Sequence, residues 1–255
     1  MPLLIHQFAI GSDNLGVLIH DQATGRTASI DAGEEAPILH ALNETGWTLT
    51  DLFITHHHGD HIAALQPLKE RYGARVVAPA ADAHRIPAID VAVHEGDEVQ
   101  LGETGFSIFE TPGHTSGHIA YYSADAKVVF AGDTMFSMGC GRLFEGTPLE
   151  MWTSLSKLAR LPDDTLLYCG HEYTLSNARF ALRFDAGNAA LQKRAQTVEA
   201  LRAKGEFTIP STIGLEKATN PFLRAAEPDL AQSVGLAGHP AVEVFAALRE
   251  AKNKG

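Results

Sequence analysis

Cysteine is scarce in this chain: Cys140 and Cys169 are the only two in 255 residues. No disulfide framework is implied, and the expected compartment is a reducing one. Long hydrophobic runs are missing as well. No stretch approaches the roughly 18 apolar residues of a membrane helix. The start, Met1-Pro2-Leu3-Leu4-Ile5-His6, lacks the basic and apolar regions of a signal peptide. The expectation is a cytoplasmic protein with no membrane partner. Positive charge is in deficit, with 20 Lys and Arg against 31 Asp and Glu, a net charge of −11. That balance disfavours nucleic acid and anionic lipid as partners. An anionic small molecule would need a local patch of Arg and Lys. Also lacking is a nucleophile elbow: Ser116 and Ser137 sit in no Gly-x-Ser-x-Gly setting.

Histidine is what the chain has in excess, 13 residues, several of them clustered. The remainder is ordinary globular composition, 45% hydrophobic and 20% charged. The length suits one large domain, or an average one with a small appendage. Apolar runs at 4–10, 15–20, 27–30, 51–55, 74–78, 106–111, 119–122, 128–131 and 166–168 read as strands. Helical spacing covers 36–44 and 148–161, and Ile62, Leu65 and Leu68 mark a further helix. Interleaved in this way, they predict an α/β layered domain over residues 1–173. After Tyr173 helical stripes take over, Leu191-Ala195-Val198-Leu201 and Val244-Phe245-Leu248, so 174–255 reads as a small helical domain.

Four strand ends share one design. Thr55-His56-His57-His58-Gly59-Asp60-His61, Thr111-Pro112-Gly113-His114, Ala131-Gly132-Asp133 and Cys169-Gly170-His171 each follow an apolar strand at once. Loops after strands are where α/β folds collect functional side chains. Alternation along an extended segment puts His56 and His58 on one side and turns His57 away. His56, His58, Asp60, His61, His114, Asp133 and His171 make five imidazoles and two carboxylates, too many donors for one tetrahedral ion and well matched to two. An N/O set without thiolate suits zinc, with iron or manganese also compatible. Two divalent ions at roughly 3.5–4 Å share a bridging water and lower its pKa, and Asp133 is the candidate bridge. No catalytic side chain beyond that metal-bound hydroxide is expected. His57 and His118 are read as supporting residues.

The motif Thr55-His56-x-His58-x-Asp60-His61, with His114, Asp133 and His171, resembles the metallo-β-lactamase superfamily, which implies an αββα sandwich with the metals at one edge of its sheets. Thr111–His118, Gly139-Cys140-Gly141-Arg142-Leu143-Phe144-Glu145-Gly146-Thr147, Gly170–Thr174, Asn220–Arg224 and Leu248–Asn253 resemble more closely the glyoxalase II family, the hydroxyacylglutathione hydrolases. That resemblance implies cleavage of S-D-lactoylglutathione to D-lactate and glutathione, the second step of methylglyoxal disposal. It assigns His56, His58 and His114 to one metal, Asp60, His61 and His171 to the other, and Asp133 to both. It implies glutathione contacts from Arg142, Tyr173, Arg249 and Lys252, with Phe144 lining the site and residues 174–255 binding substrate. Two positions depart from the family pattern: Phe144, where some relatives carry Tyr, and Leu15 after Asn14, where an aromatic residue is common. A monomer is expected.

Three other functions compete. A persulfide dioxygenase-like oxidoreductase would use one iron and would not need Asp60, His61 and His171 together. Another hydrolase of the superfamily, acting on lactones, β-lactams or RNA, leaves the basic C-terminal helix unexplained or conflicts with the acidic charge. A metal-stabilised scaffold would close its coordination shell, whereas seven donors for two ions leave positions open.

Overall fold

The structure is a computed structural model and describes residues 3–254. It divides into two compact units: the described residues up to Glu110 with Thr115–Gly132, and Thr111–His114 with the chain from Asp133 onward.

The first unit begins with β1 (Leu3–Ile10), β2 (Asn14–Asp21) and β3 (Arg26–Ile30), followed by α1 (Glu35–Thr45). Then come β4 (Asp51–Phe53), α2 (Gly59–Ile62), α3 (Leu65–Tyr72), β5 (Arg75–Pro79) and β6 (Val91–Val93). These six strands form one sheet in chain order. β1–β2–β3 pair antiparallel and β3–β4–β5–β6 pair parallel. β7 (Glu98–Leu101), β8 (Thr104–Glu110), β9 (Ile119–Ser123) and β10 (Val128–Phe130) follow as an antiparallel meander.

Period-two alternation explains how the layers stack. Leu18, Leu52, Val76 and Ala78 face the helices and pack with Ile38 and Leu42 of α1 and Leu65 and Leu68 of α3. Phe53, one residue on from Leu52, points to the meander, where its ring lies 5.1 Å from Tyr121 and 5.7 Å from Phe106. The Tyr121 hydroxyl donates to the Ile54 carbonyl at 2.8 Å, so the buried phenol is satisfied. α1 stops at Gly46, left-handed at φ 71°, whose N–H returns to the Leu42 carbonyl.

The second unit carries β11 (Met135–Phe136), β12 (Gly139–Cys140), α4 (Pro148–Leu158), β13 (Leu166–Tyr168), α5 (Thr174–Phe184) and α6 (Ala189–Ala203). It ends with β14 (Ser211–Thr212), α7 (Ile213–Thr219), α8 (Pro228–Ser233) and α9 (Ala241–Asn253). α4 begins in a capping box: Thr147 Oγ1 accepts from Glu150 N, and Glu150 accepts from Thr147 N. The Thr147 hydroxyl and then its N–H, both donating to the Glu150 carboxylate, hold that carboxyl below its ordinary pKa. The stripe Leu191-Ala195-Val198 is buried against Ala178, Ala181 and Met138. Val244, Phe245 and Leu248 form the inner face of α9.

Sequence and structure differ in a few places. The helix expected to reach residue 161 ends at Leu158, where a turn leads into Pro162. Val91–Val93, Glu98–Leu101 and the two-residue strands at 135–136, 139–140 and 211–212 were not anticipated. Ser211–Thr212 lies within the tail that reads as helical throughout, and pairs antiparallel with β13.

Candidate metal centre

In the first unit the parallel register sets the geometry. Ile30 pairs with Phe53, so Asp31 emerges beside the segment that leaves β4. Asp31 adopts φ 60°, a conformation that short polar side chains tolerate. Its carboxylate is a hub that accepts from Thr55 N (2.7 Å), Thr55 Oγ1 (2.8 Å) and His61 Nδ1 (2.8 Å). Thr55 Oγ1 also lies 3.0 Å from His56 Nδ1. The hydroxyl proton is spent on Asp31, so the imidazole must donate. Both rings are thereby fixed with hydrogen on Nδ1 and a basic Nε2. Asp31, His56 and His61 offer ligand atoms within 4.8 Å of one another. With both oxygens engaged as acceptors, Asp31 serves as the orienting carboxylate.

His56 and His61 are buried, and the His56 ring lies 4.8 Å from His58 and 4.8 Å from His118, on which it stacks. His57 turns away as expected, its Nδ1 3.1 Å from the buried Asp82. Asp60 is exposed, and its Oδ2 lies 3.6 Å from His61 Nε2. α2 is held by Ala32 N–H donating to the His61 carbonyl. The backbones come so close that a Cβ on Gly33 would sit 2.3 Å from the Asp60 carbonyl.

In the second unit His114 Nδ1 donates to the Arg142 carbonyl at 2.8 Å, which again fixes the hydrogen on Nδ1. His114 Nε2 then faces Asp133 Oδ2 at 3.5 Å, and His171 Nε2 faces the same oxygen at 3.3 Å. All three side chains are buried. A basic nitrogen and a carboxylate oxygen repel at this range unless positive charge lies with them. His61 Nε2 opposite Asp60 repeats the arrangement. Imidazole nitrogens opposite carboxylates, with His61 and His114 fixed in tautomer, are a donor set for a divalent cation, and its chemistry fits one.

Around these donors, His171 stacks on Tyr173 with ring centroids 4.7 Å apart. Phe144, exposed, edges onto His114 at 5.3 Å. Cys140 and Cys169 are buried, and burial pushes their thiols up to about 11 and about 12. Cys169 Sγ donates to the His171 carbonyl, so it serves as a neutral donor. Arg142, Tyr173 and Lys252 line one open groove of about 760 Å³, together with Arg179, Arg183 and Arg202. Lys252 donates to Ser176 Oγ at 3.1 Å, and burial, then Arg249 and Arg183, bring its pKa down to about 8. Arg249 is buried, its guanidinium donating to the Cys140 carbonyl at 2.8 Å and lying over the Phe222 ring. Asp31, Arg179, Arg183 and Arg202 were missed in the sequence. For Arg179 and Arg183 a signal existed, since 176, 179, 180 and 183 share one face of α5; Arg202 comes from α6.

Residues 22–171 match the metallo-β-lactamase superfamily, and residues 172–255 match the hydroxyacylglutathione hydrolase C-terminus. The crystal structure of ETHE1 from Myxococcus xanthus is similar, with a TM-score of 0.67, 30% identity and 99% of each chain covered. TTHA1623, solved in a di-iron-bound form, superposes with a TM-score of 0.62 at 25% identity, over 86% of this chain and 100% of that one. Fold and donors together define a metal-binding hydrolase with the metallo-β-lactamase fold and a helical C-terminal region. A hydroxyacylglutathione hydrolase from Rhodopseudomonas palustris strain BisA53 is 57% identical over 254 residues, all of both chains. The chain belongs to the hydroxyacylglutathione hydrolase family.

Proposed function

We propose that this enzyme hydrolyses glutathione thioesters, S-D-lactoylglutathione to D-lactate and glutathione, with two divalent ions. His56, His58 and His114 would hold one ion, Asp60, His61 and His171 the other, and Asp133 would bridge. The observation that carries this reading is the single Asp133 oxygen set 3.5 Å from His114 and 3.3 Å from His171, each assigned to a different ion. The di-iron form of TTHA1623 supports the count. Zinc is the expected metal, with iron or manganese fitting the same N/O donors.

Bound ions would supply an ionised water and Lewis acidity toward the thioester carbonyl. The chain's own residues do the rest. Asp31 and the Arg142 carbonyl hold His61 and His114 in the tautomer that presents Nε2. Arg142, Tyr173, Arg249 and Lys252 hold the glutathione moiety, with Phe144 lining the site beside His114; residues 174–255 act as the substrate-binding domain. No side chain need protonate the leaving group, since a thiol of pKa near 8.5 leaves as thiolate. We further propose a cytoplasmic monomer. Among the described residues no helix is long and apolar enough to cross a membrane.

The test is lactoylglutathione hydrolysis measured with metal content on the same sample. Two ions per chain, with activity lost on chelation and restored on reloading, is the expected result. One iron per chain with oxygen uptake on glutathione persulfide would favour the oxidoreductase instead.

A further inference from the structure

The hairpin β11–β12 follows Asp133 directly, and its far end runs into Gly141 and Arg142, whose carbonyl fixes His114. Two-residue strands cannot hold themselves together, and this one is fully buried. Its backbone polar groups are satisfied by side chains from the helices that follow. Asn220 Nδ2 donates to the Phe136 carbonyl at 3.2 Å and the Gly139 carbonyl at 2.9 Å. Asn177 Nδ2 donates to the Ser137 carbonyl at 3.0 Å. Met138 N–H donates to Glu216 Oε2 at 2.8 Å. Arg194 donates to Ser137 Oγ at 2.9 Å and pairs with Glu216. Arg249 takes the Cys140 carbonyl.

Each contact comes from a buried or nearly buried polar side chain on α5, α6, α7 or α9, or from Asn220, which caps α7. Packing alone does not require five such groups around six residues of chain, because an apolar cradle would cost less desolvation. Met138 adopts φ 52°, and Gly139 lies so close to Asn177 that a Cβ would meet its amide at 2.4 Å. Side chains of the helices thus complete the hairpin's hydrogen bonds.

We propose that Asn220, Glu216 and Asn177 are positioning residues for Asp133 and His114: they set the hairpin that aims the carboxylate and the Arg142 carbonyl. This rests on the reading of Asp133 as a metal ligand. Through the same hairpin, the helices that carry Lys252 and the groove arginines govern how well the metal is held.

The experiment compares Asn220→Ala and Glu216→Gln with Leu230→Ala, a buried apolar residue of α8 that makes none of the hydrogen bonds above. Apo proteins are titrated with zinc against a chromophoric chelator, and Tm and kinetics are recorded. Expected is a tenfold or larger loss of affinity for at least one ion in the first two variants. KM for lactoylglutathione should stay within twofold while kcat falls. Leu230→Ala, at a comparable drop in Tm, should bind zinc as the parent does. Equal weakening in all three would reduce the network to general stability and overturn the proposal, as would parental affinity in Asn220→Ala. If Asn220→Ala does not fold, Asn177→Ala, which loses a single carbonyl contact, decides in the same way. A parent chain that binds no metal would sink the functional reading itself, a distinct outcome.

Discussion

A carboxylate outside the ligand set controls two imidazoles here, and replacing it should be felt at the metal. Asp31→Asn offers one amide oxygen where two carboxylate oxygens now serve Thr55 and His61. Losses on changing such supporting residues run to about 10–100-fold in metal affinity. We expect Asp31→Asn to fall in that range by chelator competition, with the fold retained by circular dichroism. Lys252 supplies a pH prediction. Its pKa of about 8 lies below the ordinary 10.5, so the unfolded chain binds more protons between those values and stability rises with pH across that window. Binding of an anion runs the other way: the charge is present below about 8 and lost above it. KM for lactoylglutathione should therefore climb above pH 8 in the parent and stay flat in Lys252→Arg. The donors were legible in the sequence because a His-x-His-x-Asp-His run after an apolar strand is a rare local pattern. Asp31 was not, because Asp-Ala-Gly after a strand reads the same as any turn, and its partners lie 24 and 30 residues downstream.

At the scale of elements, the strands that position the centre were readable and the small ones were not. β3, β4 and β5 are short apolar runs bounded by turn residues, a pattern visible in the sequence itself. β11 and β12 have two residues each, and helical side chains far along the chain complete their hydrogen bonds. Burial and long-range pairing of that kind leave no local periodicity. Gly141, the residue after β12, makes a sharp test of the local packing. An added Cβ would lie 2.0 Å from the Asp133 carbonyl and 3.0 Å from His114 Nδ1. Backbone cannot yield as a flexible side chain does, so Gly141→Ala should cost about 1–3 kcal/mol. It should also lower metal content, read by thermal melts and elemental analysis together.

For the molecule as a whole, metal and folding are linked. An ion that binds only the native state adds about 2.7 kcal/mol at a hundredfold excess over Kd. At roughly 2–4 °C per kcal/mol, chelation should lower Tm by about 5–10 °C. Calorimetry with and without a chelator checks this, and an unchanged Tm would argue against a buried ion. The net charge of −11 makes the groove's Arg142, Arg179, Arg183, Arg202 and Lys252 a local exception, so KM for an anionic thioester should rise with salt. The division of the chain carries one more consequence. Thr111–His114 belongs to the second unit although residues of the first precede and follow it. A fragment ending at Gly132 would keep His114 but lose Asp133 and His171, and one starting at Asp133 would lose His114. A single break after Gly132, by protease or by gene truncation, therefore parts His114 from both Asp133 and His171.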